Sequence, residues 1–194
     1  MFKIINHVFV KYLAAFCLVS LIAATFIYIP SIPMQSHKKV YLPWLENITG
    51  NHVLVFGGYP GCLSTCPIAL NTLREVYLNY QLRTKSNDLQ VVFTNILQNS
   101  SDDLSNKYAK SFHKDFIGVS IKSDQINDYR RSFSMQTFQA INDITHHPGY
   151  IYYLHNQNSQ WHLKQVFSSD VEHSHLLKIL NKHNQRSDYY VSSL

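Results

Sequence analysis

VLVFGGYPGCLSTCPIAL, Val53–Leu70, is the stretch that decides the fold. Val53–Tyr59 is a short apolar run closing on two glycines, the pattern of a strand buried on both faces. From Pro67 to Leu82, Leu70, Leu73, Val76, Tyr77 and Tyr80 recur at helical spacing. Cys62 and Cys66 lie at this strand-to-helix junction with three residues between them. Proline lacks an N–H and disfavours α conformation in the residue before it, so Pro67 is read as the first helical residue. Cys66 is then expected beside the helix N-terminus, where free N–H groups and partial positive charge favour a thiolate.

Outward from this unit, strands are predicted over Leu89–Ile96 and Phe116–Ile121, and helices over Ser101–His113 and Ser123–Ser134. Asp102 and Asp103 sit in the favoured first turn of the helix that Ser101 opens. Tyr150–His155 and Trp161–Phe167, separated by a polar NQNSQ, read as a hairpin. Asp170–His183 reads as a closing helix with Asp170 as its N-cap. Alternating strands and helices followed by a hairpin predict an α/β fold: a mixed sheet with helices on both faces.

Tyr12–Ile29, YLAAFCLVSLIAATFIYI, is eighteen residues without a charge. As a helix it rises about 27 Å, close to the hydrocarbon thickness of a bilayer. Lys3 and Lys11 precede it, so the positive-inside bias places the N-terminus in the cytoplasm and the rest of the chain outside it. A cleaved signal peptide fits less well, because the run exceeds a usual apolar core and no A-x-A-like site follows. The expected organisation is a cytoplasmic N-terminus (1–11), a single transmembrane anchor (12–29), a linker carrying Pro30 and Pro33 (30–42), one domain (43–186) and a frayed tail (187–194). That arrangement implies a bacterial inner-membrane protein whose domain faces the periplasm.

Composition narrows the function. Of 194 residues, 45% are hydrophobic and 15% charged, which excludes a disordered chain. Three Cys are too few for a disulfide-stapled scaffold. A net charge of +5, with no basic run longer than Lys38-Lys39 or Arg130-Arg131, argues against a nucleic-acid partner. A disulfide between Cys62 and Cys66 would close too small a loop to add much stability, so the pair points to chemistry. Two soft thiolates suit Cu(I), and one imidazole would complete a set that could also hold Cu(II), whereas zinc would want a fourth ligand. Of eleven His, His52, His113, His162 and His183 read as surface or strand-edge residues. His173 and His175 are two apart on a helix and face different ways. His146-His147, just before a Pro-Gly and an aromatic strand, are the ligand candidates.

With those residues in place, VFGGYPGCLSTCPIAL resembles the F-G-Y-x-x-C-P-x-x-C-P-x-x-L signature of the Sco (SenC) family, membrane-anchored thioredoxin-like copper proteins. SFHKDFIGVSIKSDQI and HPGYIYYL resemble two further segments of that family, and the likeness spans about residues 43 to 185. The resemblance implies a thioredoxin-like fold that binds copper through Cys62, Cys66 and a histidine. It assigns that role to His147, because Tyr152 follows by five residues, while His146 stands where an Asp is usual. It implies a copper chaperone serving the binuclear copper centre of cytochrome c oxidase through the oxidase's copper-binding subunit. The alternatives are a thiol–disulfide reductase needing only the two Cys, or a copper or redox sensor. Leu63 replaces the usual proline after the first Cys. Leu97, Ser100 and Ser101 replace two carboxylates and an Arg.

Overall fold

Val53, Leu54, Val55 and Phe56 are completely buried, because the strand that carries them, β2 (His52–Gly58), is covered on both faces. The computed structural model describes residues 13–21, 35–97, 100–133 and 149–191. Around β2 the described residues form β1 (Gln35–Lys39), β3 (Leu89–Asn95), β4 (Ile117–Ser120), β5 (Tyr150–Gln157) and β6 (Gln160–Ser168). The helices are α1 (Thr65–Thr84), α2 (Asp102–Phe112), α3 (Ile126–Ser132) and α4 (His173–Val191). One sheet runs in the order β1-β6-β5-β2-β3-β4. β2, β3 and β4 are parallel, with Val55 opposite Val92, and α1 and α2 supply the crossovers such pairing needs. β5, β6 and β1 add antiparallel neighbours, with Val55 opposite Tyr152. This is the thioredoxin-like mixed sheet flanked by helices that the sequence predicts.

The two faces of β2 bury different layers. Leu54 and Phe56 pack with Leu70, Leu73 and Val76 of α1, Ala109 of α2 and Leu176 and Leu180 of α4. Val53 and Val55 pack with Tyr129 of α3, Phe133, Leu45 and Trp161. Each of the Val, Leu and Phe side chains, taken from water, contributes roughly 1.5–3 kcal/mol. α2 approaches β4 so closely that a Cβ on Gly118 would strike the Ser105 carbonyl. In the hairpin, Asn158 (φ 53°) and Ser159 (φ 60°) form a two-residue turn of the hand that matches strand twist.

Several boundaries differ from expectation. Residues 35–39, inside the expected linker, form edge strand β1 on β6, and Val40 and Leu42 beyond it are buried. The pairing is made by main chain, so the polar side chains give no apolar signal. α4 starts at His173 rather than Asp170 and runs to Val191, past the residue where a tail was expected to begin. α3 spans only Ile126–Ser132 of the longer helix expected there. Residues 13–21 are helical and exposed. Among the described residues no helix is long and apolar enough to cross a membrane, and the remainder of the expected anchor, 12 and 22–29, lies outside them.

The amino end of β2 carries an arrangement that sequence does not signal. His52 pairs with His155 of β5, which pairs with His162 of β6. The His52 and His155 rings stack at 4.6 Å and 9°, and His183 of α4 lies 5.8 Å from His155. His52 Nδ1 meets the Tyr153 hydroxyl at 2.8 Å, and its Nε2 is 3.6 Å from an Asp88 oxygen. Far from being a surface residue, His52 is 1% exposed.

Candidate functional site

β2 ends at Gly58, and the chain turns through Gly61, whose φ of +99° suits glycine, into α1. The Cys62 N–H donates to the Tyr59 carbonyl at 3.2 Å, folding the loop back on itself. α1 begins at Thr65, not at Pro67. A proline is tolerated there because first-turn N–H groups have no intrahelical partner in any case. Cys66 is therefore the second helical residue, and the helical register turns it inward. It is fully buried, its sulfur lying 4.0 Å from the Tyr59 carbonyl oxygen.

The second consequence concerns which thiol ionises. Burial raises the pKa of Cys62, but a hydrogen bond from the Cys66 thiol and the backbone N–H groups of Cys66, Ser64 and Thr65 outweigh it and hold Cys62 below the ordinary thiol value. The Cys66 N–H reaches the Cys62 sulfur at 3.5 Å. Burial, foremost, pushes the Cys66 thiol up to about 12, and its hydrogen bond to Cys62 adds to the rise. The expectation of a Cys66 thiolate is thus reversed. Sulfur 62 sits over the helix N-terminus, whereas sulfur 66 points away from it into the core. The two thiols form one donor–acceptor pair: a partly accessible nucleophile and a withheld second sulfur.

Iodoacetamide at neutral pH is accordingly expected to modify Cys62 about tenfold or more faster than Cys66, because the thiolate is the reactive form. Mass mapping of a time course checks this, and faster labelling of Cys66 would contradict the assignment.

Two tyrosines that sequence reasoning passed over stand near the sulfurs. Burial, followed by the neighbouring Cys66 and Cys62 thiols, raises Tyr108 of α2 to about 12. The same causes act in the same direction on Tyr59. Tyr59 is legible as part of the glycine-flanked loop. Tyr108 has no local signal, since only the packing of α2 brings it there.

The loop after β3 flanks this site, the Ile96 N–H donating to the Gly58 carbonyl at 3.0 Å. Ser101, one of the residues standing where relatives carry charge, caps α2 by accepting from the Leu104 N–H at 3.2 Å. Leu97 and Ser100 are half-buried and bring no charge of their own to this part of the rim. His146 and His147 lie outside the described residues. Among those that are described, no three His, Cys, Asp or Glu side chains gather as a metal-binding set.

Comparison with known proteins places this geometry among relatives. A family model described as SCO1/SenC matches residues 45–185. A SCO2-like protein of Rickettsia conorii is 30% identical over 91 residues, a stretch covering 46% of this chain and 43% of that protein, so the alignment spans less than half of the relative's length. Among solved structures, copper-bound ScoI of Arabidopsis thaliana matches with TM-score 0.58 at 17% identity, over 73% of this chain and 88% of that one. Copper-bound yeast Sco1 matches with TM-score 0.56 at 15% identity, over 72% and 79%. At such identities these structures attest the fold. The family model does more, because it runs continuously from the turn before β2, through both cysteines and the hairpin, into α4: the chain belongs to the SCO1/SenC family.

Proposed function

We propose that this protein is a copper chaperone, anchored by residues 12–29 in a bacterial inner membrane with its domain in the periplasm. Its cargo is copper held by Cys62, Cys66 and His147, and its recipient is the copper-binding subunit of cytochrome c oxidase. The observation that carries the reading is the sulfur pair: two adjacent soft donors, one already favoured as thiolate, joined to a helix N-terminus that disperses negative charge. Support for the third ligand comes from chain connectivity. Gly149 lies so close to α1 that a Cβ on it would strike the Thr65 methyl, and two residues of chain from His147 span at most about 7 Å. The copper-bound relatives support the metal, and the uncharged run before Ile29 supports the anchor. Ligand exchange from two thiolates and an imidazole to the recipient's donors would move the ion with no change in the protein's covalent structure.

The test is an anaerobic copper titration of the full chain in detergent. One equivalent is expected to bind, and the Cu(II) form should show thiolate-to-copper charge-transfer absorption that Cys62→Ser or Cys66→Ser abolishes. His147→Ala should leave two titratable thiols but weaken copper retention about a hundredfold, as loss of a ligand does. Should His146→Ala show that pattern instead, the ligand is His146. Retention unchanged in both variants and in the double variant would remove imidazole from the set.

The pKa asymmetry of the cysteines favours a second reading, a thiol–disulfide reductase acting on the recipient's copper-site cysteines. Cys62 would attack the target disulfide, and Cys66 would resolve the mixed disulfide. That activity survives loss of His147, whereas copper delivery does not.

A further inference from the structure

Away from the cysteines, the second half of α1 and the first half of α4 enclose a groove of about 550 Å³, within the range of small-ligand sites. Arg83 enters from α1, and His173, Lys178 and Lys182 from α4; Leu177 forms part of the floor, and Asn79 adds an amide. Among the described residues, no acidic side chain lines it. Three cations elsewhere on the surface are held by acids: Lys107 by Asp103 at 2.8 Å, Arg131 by Asp128 at 2.7 Å and Arg74 by Glu75 at 3.7 Å. Among the described residues Arg83, Lys178 and Lys182 have no ion pair. Lys178 and Lys182 are four apart on one helix face, a spacing at which like charges repel. α4 opens the groove with His173 and Ser174, directly after Glu172, whose carbonyl accepts the first N–H bonds of the helix.

The geometry points to this groove as a binding site for a phosphate ester. Three cations exceed what one carboxylate would balance, whereas a phosphate monoester brings nearly two negative charges and three terminal oxygens. Arg83 offers a planar fork and the lysines offer point charges from the facing helix. Among the described residues Leu177 is the one apolar residue of the lining, so the surface beneath the ester's organic part is mainly polar. A soluble phosphate monoester and the monoester headgroup of phosphatidic acid share this chemistry.

The experiment is calorimetric titration of the copper-free full chain in nonionic micelles. One arm uses glycerol 3-phosphate, and the other uses micelles doped with phosphatidic acid, whose phosphate is likewise a monoester. Saturable binding is expected in at least one arm, with none to glycerol, and weakening as salt rises. Arg83→Gln and Lys178→Gln should each weaken it about tenfold, the loss of one charge-assisted contact, while Cys62→Ser binds as the parent does. Retained fast alkylation of Cys62 in the groove variants certifies their fold. Binding in the first arm assigns a soluble ester, and binding in the second arm alone assigns a lipid headgroup. Absence of saturable binding in both arms, or affinity unchanged in both groove variants, would overturn the proposal.

Discussion

Gly58→Ala is expected to destabilise the domain by about 2–3 kcal/mol, the range of an overpacked core, and to dismantle the thiol pair. A Cβ at this position would lie 2.6 Å from the Cys66 sulfur and 3.2 Å from both the Phe56 and Phe93 rings. All three neighbours are fully buried, so none can retreat into solvent. The sulfur, on the shortest side chain, has to turn away, and Cys62 then loses the thiol hydrogen bond that helps keep its pKa low. The urea midpoint should drop, and alkylation of Cys62 at neutral pH should slow about three- to tenfold. A variant with the parent's midpoint and labelling rate would show that Gly58 is not the seat of that sulfur.

Acidification is expected to have an effect as large, and it acts at the opposite end of β2. Burial, foremost, lowers the pKa of His52, with Asp88 working against it. Burial, followed by His52, His183, Lys164 and His162, lowers His155 to about 3. Tyr153 bonds His52, and Tyr80 meets its ring edge-on, so no further carboxylate among the described residues offsets the stack. The Nδ1 of His155 is buried without a hydrogen-bond partner, which suits a neutral ring and not an imidazolium. Both histidines bind protons less readily folded than unfolded. Their contribution is therefore complete above the unfolded value of 6.5 and is lost as pH falls below it. Each removes up to about 1.4 kcal/mol per pH unit, so the pair should cost roughly 2–4 kcal/mol by pH 5. Urea melts at pH 7, 6 and 5 measure this directly. His155→Phe should flatten the dependence by about half, and a parent midpoint that is level from pH 7 to 5 would rule the stack out as its source.

What sequence conveyed follows from which forces leave a one-dimensional trace. The uninterrupted apolar run of β2, the helical stripe from Leu70 to Tyr80 and the aromatic hairpin were legible, because burial writes itself as periodicity. Edge strand β1 was not, since Gln35–Lys39 is held by main-chain pairing beneath polar side chains. The His52–His155 stack was equally invisible. It depends on cross-strand register between residues a hundred positions apart, and neither histidine differs locally from a surface one.

The two sulfurs were found from their spacing, yet the thiolate was expected at Cys66, whereas the fold favours it at Cys62. Counting the helix from Pro67 put Cys66 outside it. Starting at Thr65 turns that side chain inward and leaves Cys62 as the residue facing the N–H groups. Proximity to a helix terminus is readable from sequence, but the direction of a side chain there shifts by about 100° for each residue of error, since 3.6 residues make a turn. The departures at Leu97, Ser100 and Ser101 were legible only by likeness to a family, and Ser101 proved to have a local structural task of its own.

The meeting of Gly149 with Thr65 joins two stretches of chain that would otherwise be free to drift apart in evolution. The methyl of Thr65 occupies the space that any side chain at 149 would need, and Ser169 closes it from the other side, 2.9 Å from where a Cβ would stand. Positions 65 and 149 thus share a single allotment of volume, one adjoining a cysteine of the site and the other two residues from a candidate ligand. Descendants of this sequence can enlarge one only by shrinking the other, so the helix that holds the sulfurs and the strand that follows the histidines are inherited as a matched pair.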